Sequence, residues 1–121
     1  MPEAPRSRPA SFVVLHTLRG HLRARPAIVF AALDTRFRPS ASSRSLYLAD
    51  PSAFFIVSQG GRWYRAEYRI IPDEHGSHVE HQMLNVAQTA RSLGRFTGRK
   101  VAADAPLAFQ TLLRQLRFEL E

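Results

Sequence analysis

The sequence predicts an α+β fold, in which an antiparallel sheet packs against a long C-terminal helix and a short helix follows the first strand. Apolar residues alternate with other residues over residues 12–24 and 62–71, which is typical of strands that bury one face. Apolar residues recur at helical spacing between Phe109 and Leu120. Because 121 residues is the size of one domain, we expect a single domain over residues 11–121. Residues 1–10 contain three prolines and two arginines, so we expect them to form a disordered tail.

The alternation over residues 12–24 predicts one long first strand. A strand sends successive side chains to opposite faces, so every second residue belongs to the buried face. This face is predicted to carry Phe12, Val14, His16, Leu18, Gly20, Leu22 and Ala24.

A short helix is predicted directly after this strand. Pro26 suits the first turn of a helix, where its missing N–H leaves no intrahelical hydrogen bond unmade. Asp34 and Thr35 are expected to end the helix. Its apolar stripe is predicted to consist of Ile28, Val29, Ala32 and Leu33.

Four further strands are predicted after a loop over residues 36–45. Residues 46–49 and 53–58 form the first two, and residues 62–71 and 77–87 form a hairpin around a turn at residues 72–77. Matching the apolar faces of the hairpin sets its register. The predicted cross-strand pairs are Ile70 with Val79, Tyr68 with His81, Ala66 with Met83 and, on the outer side, Arg69 with Glu80.

The stretch "HVEH", residues 78–81, resembles a metal-binding motif only if it is helical. On a strand His78 and His81 point to opposite faces, so they cannot bind one metal ion. The chain has no cysteine, which excludes disulfides, thiolate metal sites and a cysteine nucleophile. We therefore expect no metal site and no obligatory cofactor.

The final helix is predicted to begin near Asp104, which can cap it, with Pro106 in its first turn. Residues 88–103 are interpreted as a connector because glycines interrupt their basic sequence. The helix is expected to bury Phe109, Leu112, Leu113, Leu116 and Leu120.

The net charge of +7 comes from sixteen arginines and one lysine against ten acidic residues. Such a charge can indicate a nucleic-acid partner, but the arginines are spread along the chain, so nucleic acid is the less favoured partner. No segment predicts an export signal or a membrane span, and a cytoplasmic location is expected. A basic outer face, which could contact nucleic acid or form a homodimer contact, is predicted from Arg19, His21, Arg23, Trp63, Arg65 and Arg69.

The long first strand, the helix entry "ARPAIVFAALD", the hairpin "YRIIPDEHGSHVEHQML" and the final amphipathic helix together resemble the START-like, or SRPBCC, helix-grip superfamily. This superfamily includes polyketide cyclases/dehydrases and lipid-transfer domains. The resemblance covers residues 11–121. It implies a curved antiparallel sheet wrapped around the last helix, with an apolar cavity between them that takes lipids, polyketides or other hydrophobic molecules.

With such a cavity, we expect a carrier or sensor that binds a small hydrophobic ligand, because apolar walls supply affinity and a few polar groups fix orientation. No catalytic signature is present, so binding is favoured over catalysis and no catalytic residue is assigned. One alternative is a cyclase-like or dehydratase-like enzyme that uses His16, His81, Tyr64 and Tyr68, and another is an interaction module that uses the basic face. The residues expected to contact the ligand are His16, Tyr64, Tyr68, His81, Met83, Asn85, Phe109 and Leu113.

Overall fold

The structure, a computed structural model, describes residues 3–40, 42, 45–60, 64–86 and 99–121, and the side chains of the last range from residue 103 onward. Its elements follow the predicted order of one strand, one helix, four strands and one helix. They are β1 (Val13–Leu22), α1 (Pro26–Phe37), β2 (Leu46–Asp50), β3 (Phe55–Gly60), β4 (Tyr64–Asp73), β5 (Gly76–Asn85) and α2 (Arg99–Leu120).

The five strands form one curved antiparallel sheet in the order β1-β5-β4-β3-β2. Strands β2 to β5 follow one another as a meander, and β1 joins the sheet beside β5. The inner face of the sheet packs against both helices. This α+β helix-grip layout confirms the predicted fold class. Within the described residues, neither helix is long and apolar enough to cross a membrane.

The main core lies between this inner face and the two helices, because each element contributes one apolar side to it. Gly20 permits a close approach of α2 to the sheet, since a Cβ atom at this position would overlap the side chain of Leu113. The buried residues of this core are Leu22, Val29, Phe30, Leu33, Tyr47, Ile56, Ile70, Val79, Phe109, Leu113 and Leu116.

The predicted register of the β4–β5 hairpin is confirmed. The observed pairs include Ile70 with Val79, Tyr68 with His81, Ala66 with Met83 and Arg69 with Glu80. The predicted contact between the side chains of Arg69 and Glu80 is wrong, however. Glu80 accepts a hydrogen bond from Arg19 at 3.1 Å, because β1 lies on the other side of β5 and offers a nearer guanidinium group.

A β-bulge corrects the predicted faces of the first strand. The pairing of β1 with β5 shifts between Val14 and His16, and Leu15 is the extra residue. The alternation therefore reverses, so Val14 lies opposite Leu84 on the outer side and is 41% exposed. His16 lies opposite Met83 and stays on the inner face, as predicted.

Helix α1 runs past its predicted end and presents a different stripe. Val29, Phe30 and Leu33 are buried, whereas Ile28 is 43% exposed. The predicted place of Ile28 in the stripe is therefore wrong. The buried row continues at a spacing of three to four residues up to Phe37, and Ile28 lies beside this row.

Helix α2 begins at Arg99 and contains Pro106 in its interior. The predicted start near Asp104 is therefore wrong. Proline has no backbone N–H to donate, so it fits most easily in the first turn of a helix. Here, however, the helix already extends from Arg99 to the residue before Pro106. The predicted apolar stripe is confirmed from Phe109 onward, and the part of the predicted connector at residues 88–98 lies outside the described residues.

Residues 3–8 contact the outer face of the sheet, although the composition predicts a disordered tail for residues 1–10. Glu3 pairs in parallel with Tyr47 of β2, and the backbone N–H of Ala4 donates to the Tyr47 carbonyl at 3.1 Å. Arg65 donates to the carbonyl oxygens of residues 5 and 6 at 2.7 and 2.8 Å. This segment helps to cover the fully buried Arg65 and the Glu67 side chain beside it.

Candidate functional site

A cavity of about 390 Å³ lies between the middle of α2 and the inner faces of β4 and β5. Most of its wall is apolar, and Asp104 is the one formally charged side chain among the described residues that line it. The lining residues are Phe37, Tyr68, His81, Met83, Asp104, Ala105, Ala108, Phe109 and Leu112.

Four rings of this wall stack in one row from α1 across the sheet to α2. Phe37 packs on Tyr68 with ring centroids 4.6 Å apart, and Tyr68 packs on His81 at 4.4 Å with only 8° between the ring planes. His81 in turn packs on Phe109 at 5.6 Å. Aromatic pairs of this kind contribute about 0.5–1.5 kcal/mol beyond the burial of their area, so the row gives the cavity a rigid wall.

The His81 imidazole is buried and oriented by the backbone. Its Nδ1 lies 3.3 Å from the carbonyl oxygen of Glu67, and because a carbonyl only accepts, Nδ1 carries the hydrogen. Burial lowers the pKa of His81 below its ordinary value and His16 lowers it further, although the hydrogen bond to Glu67 acts in the opposite direction. The ring is therefore neutral near pH 7, with an unprotonated Nε2.

Tyr68 is the second polar group of the ring row. Burial raises the pKa of its hydroxyl to about 12, so the group stays protonated and uncharged over the physiological range. The cavity thus presents one neutral imidazole and one neutral phenol in a mainly apolar wall.

Four of the eight predicted ligand contacts line this cavity, namely Tyr68, His81, Met83 and Phe109. The other four do not. Leu113 packs over Gly20, and His16 lies on β1 diagonally across from His81. Tyr64 and Asn85 face each other at the far end of the hairpin, where Asn85 is buried.

The cavity also has lining residues that the sequence did not indicate as ligand contacts. Phe37 belongs to a segment predicted as loop, and it reaches the ring row because α1 runs two residues past Thr35, where it was predicted to end. Ala105 and Ala108 interrupt the large apolar residues of α2, and their small side chains leave space against the sheet. A pair of alanines beside an apolar stripe is the signal that could have indicated this space.

The predicted basic outer face is largely paired in the structure. Arg65 is completely buried, and Arg69 donates to Glu67 at 3.2 Å. Arg19 binds Glu80, and His21 contacts Asp73 at 3.0 Å. Trp63, the predicted aromatic residue of this face, lies outside the described residues.

His78 also lies on the outer side, where its Nε2 contacts Asp73 at 3.0 Å. It points away from His81, as the alternation predicts. Within the part of the chain that the structure describes, no group of three or more histidine or acidic side chains is arranged to hold a metal ion.

Comparisons of the chain with protein-family models, with curated proteins and with solved structures gave no match. The resemblance to the START-like superfamily therefore stays a prediction from the sequence, and the cavity is interpreted from its own geometry.

Proposed function

We propose that this domain binds a small hydrophobic molecule in the cavity between the sheet and α2, as a carrier or a sensor. The observation that carries the proposal is an apolar space of about 390 Å³ in the position where the helix covers the sheet. Cavities that bind small molecules have volumes of roughly 300–1,000 Å³ and mostly apolar walls with a few polar groups.

The expected affinity follows from the area that a ligand of this size can bury. A bicyclic aromatic molecule that loses about 300 Å² of apolar surface gains roughly 7 kcal/mol at 25 cal/mol per Å². Immobilising the ligand offsets part of this gain. We therefore expect dissociation constants between about a micromolar and a millimolar for simple aromatic probes.

The geometry favours binding over catalysis. His16, one of the groups on which a cyclase-like or dehydratase-like mechanism would depend, does not line the cavity.

Titration with the uncharged fluorescent probe N-phenyl-1-naphthylamine tests the proposal. We expect saturable fluorescence enhancement with the wild-type protein. In the variant Ala105→Phe, a large ring at a buried position of the cavity wall should fill the space and weaken binding at least about tenfold.

The matched control is Ala103→Phe, which places the same side chain at an exposed position of α2 outside the lining. This variant should bind the probe like the wild type. The proposal is wrong if the wild-type protein shows no saturable binding, or if both phenylalanine variants bind equally well.

A further inference from the structure

We infer that the ligand of this cavity is an uncharged molecule with a hydroxyl or N–H group, and that this group donates a hydrogen bond to Nε2 of His81. The inference rests on the proposed function and specifies the ligand class of the same site. It follows from the edge of His81 to which no described residue donates, from the ring row that fixes this edge, and from the charge of the cavity wall.

The first step concerns the hydrogen-bonding capacity of His81. Its Nδ1–H is used by the Glu67 carbonyl, and in a neutral imidazole the other nitrogen can only accept. No described residue donates a hydrogen bond to Nε2. An acceptor that faces a mainly apolar cavity meets few donors there, so a ligand that supplies the donor gains over one that does not.

The second step concerns orientation. Tyr68 and Phe109 cover the two faces of the imidazole, and Nδ1 is held by the backbone. The ring therefore cannot rotate without breaking both stacking contacts. The edge that carries Nε2 is the part of the ring left for a molecule in the cavity, which His81 lines.

The third step concerns charge. Asp104 is the one formally charged side chain among the described lining residues, and it is negative. An anionic ligand would meet this carboxylate and would bring an acceptor, not a donor, to Nε2. A cationic ligand would lose its hydration in a mainly apolar space, which is unfavourable. An uncharged ligand with a hydrogen-bond donor avoids both costs, because it can pair with Nε2 of His81 and brings no charge toward Asp104 or into the apolar space.

Three probes of nearly equal size separate these features by calorimetric titration at about pH 7.5. 2-Naphthol carries a hydroxyl donor, 2-methoxynaphthalene lacks it, and 2-naphthoate replaces it with an anion. We expect 2-naphthol to bind roughly three- to tenfold more tightly than 2-methoxynaphthalene, the range that one hydrogen bond supplies. We expect 2-naphthoate to bind most weakly.

The variant His81→Phe keeps an aromatic ring in the row and removes the acceptor. It should bind 2-methoxynaphthalene like the wild type and lose the preference for 2-naphthol. Nuclear magnetic resonance of the wild-type protein gives a second test, which does not depend on whether this variant folds. In long-range ¹H–¹⁵N spectra, His81 should carry its proton on Nδ1, and its Nε2 signal should move with 2-naphthol but not with 2-methoxynaphthalene.

The outcomes distinguish this inference from the proposed function. Equal affinity for 2-naphthol and 2-methoxynaphthalene, preference for 2-naphthoate, or a proton on Nε2 would overturn the inference and leave a hydrophobic binding site. Binding of N-phenyl-1-naphthylamine without binding of any naphthalene probe would also overturn the inference alone. Failure of all four compounds to bind would overturn both.

Discussion

Gly20 is a residue at which α2 comes very close to the sheet. It lies on the inner face of β1, where the terminal carbons of Leu113 occupy the space that a Cβ atom would need. Glycine weakens a strand because it loses more backbone freedom on folding than other residues. Its presence within β1 is therefore explained by the helix that packs on it.

We expect Gly20→Ala to lower the free energy of unfolding by about 1–3 kcal/mol, because the added methyl group overpacks the contact with Leu113. Urea denaturation measures this loss. Gly60→Ala is the matched control, since nothing lies within 4 Å of a Cβ atom at that strand position. In the double variant Gly20→Ala/Leu113→Ala, the combined loss should be smaller than the sum of the single losses. Equal stability of the two alanine variants would contradict the tight contact.

At this scale the sequence predicts the faces of most strand residues, since alternation depends only on neighbouring positions. It places Tyr68 and His81 together on the inner face, and they stack there. It fails at Val14 because a bulge adds one residue and reverses the alternation. It also cannot assign Leu113 to Gly20 rather than to the cavity, because that depends on where the helix crosses the sheet.

The elements that local patterns define are the ones predicted well. The β4–β5 hairpin has its predicted register because both strands alternate on either side of one short turn. The start of α2 is missed because Pro106 is compatible with a first turn and with the interior position it occupies. The contacts of residues 3–8 are missed because their partners lie far along the chain, as in the ion pair of Arg8 with Glu67.

Three arginines surround Glu67 on the outer side of β4. Arg65 and Arg8 each donate to it at 2.8 Å and Arg69 donates at 3.2 Å, while the Glu67 side chain is only 1% exposed. Burial opposes ionisation of Glu67, but the hydrogen bonds from Arg8, Arg65 and Arg69 outweigh it and lower its pKa from 4.5 to about 2. This cluster joins the N-terminal segment to the sheet.

Because the pKa of Glu67 is lower in the folded than in the unfolded state, the ionised carboxylate stabilises the fold at pH values above its unfolded-state pKa. This stabilisation is lost as the pH falls toward the pKa of Glu67 in the folded state. We therefore expect a loss of roughly 3 kcal/mol between about pH 4.5 and about pH 2, measured by urea denaturation.

Glu67→Gln tests the assignment to this carboxyl group. It should lack this part of the pH dependence, and at neutral pH it should be destabilised by about 3–5 kcal/mol, because the buried Arg65 loses its counter-charge. Glu80→Gln removes a carboxylate from the more exposed pair with Arg19 and should keep the wild-type slope. A slope in Glu67→Gln equal to that of the wild type would contradict the assignment.

Across the part of the molecule that the structure describes, the net charge of +7 does not translate into an open face of unpaired arginines around Arg19, Arg65 and Arg69. Two acidic side chains, Glu67 and Glu80, bind arginines that the sequence predicts as a basic surface, and Arg65 is buried. Composition gives the number of charges but not their partners, so the sequence could not predict how many remain free. This distribution bears on the alternative function of a nucleic-acid module.

We expect only weak binding of single-stranded DNA, because Arg19, Arg65 and Arg69 of the outer face are already engaged by carboxylates. Fluorescence anisotropy with an oligonucleotide of about 20 nucleotides, from about 50 to about 300 mM salt, should give a slope of log K against log salt shallower than about −2. Glu80→Gln releases Arg19 and should strengthen binding. Glu74→Gln removes the same charge at the exposed hairpin turn and should change binding less. A steep wild-type slope, of the size that six or more phosphate contacts produce, would instead favour the basic face as the functional surface.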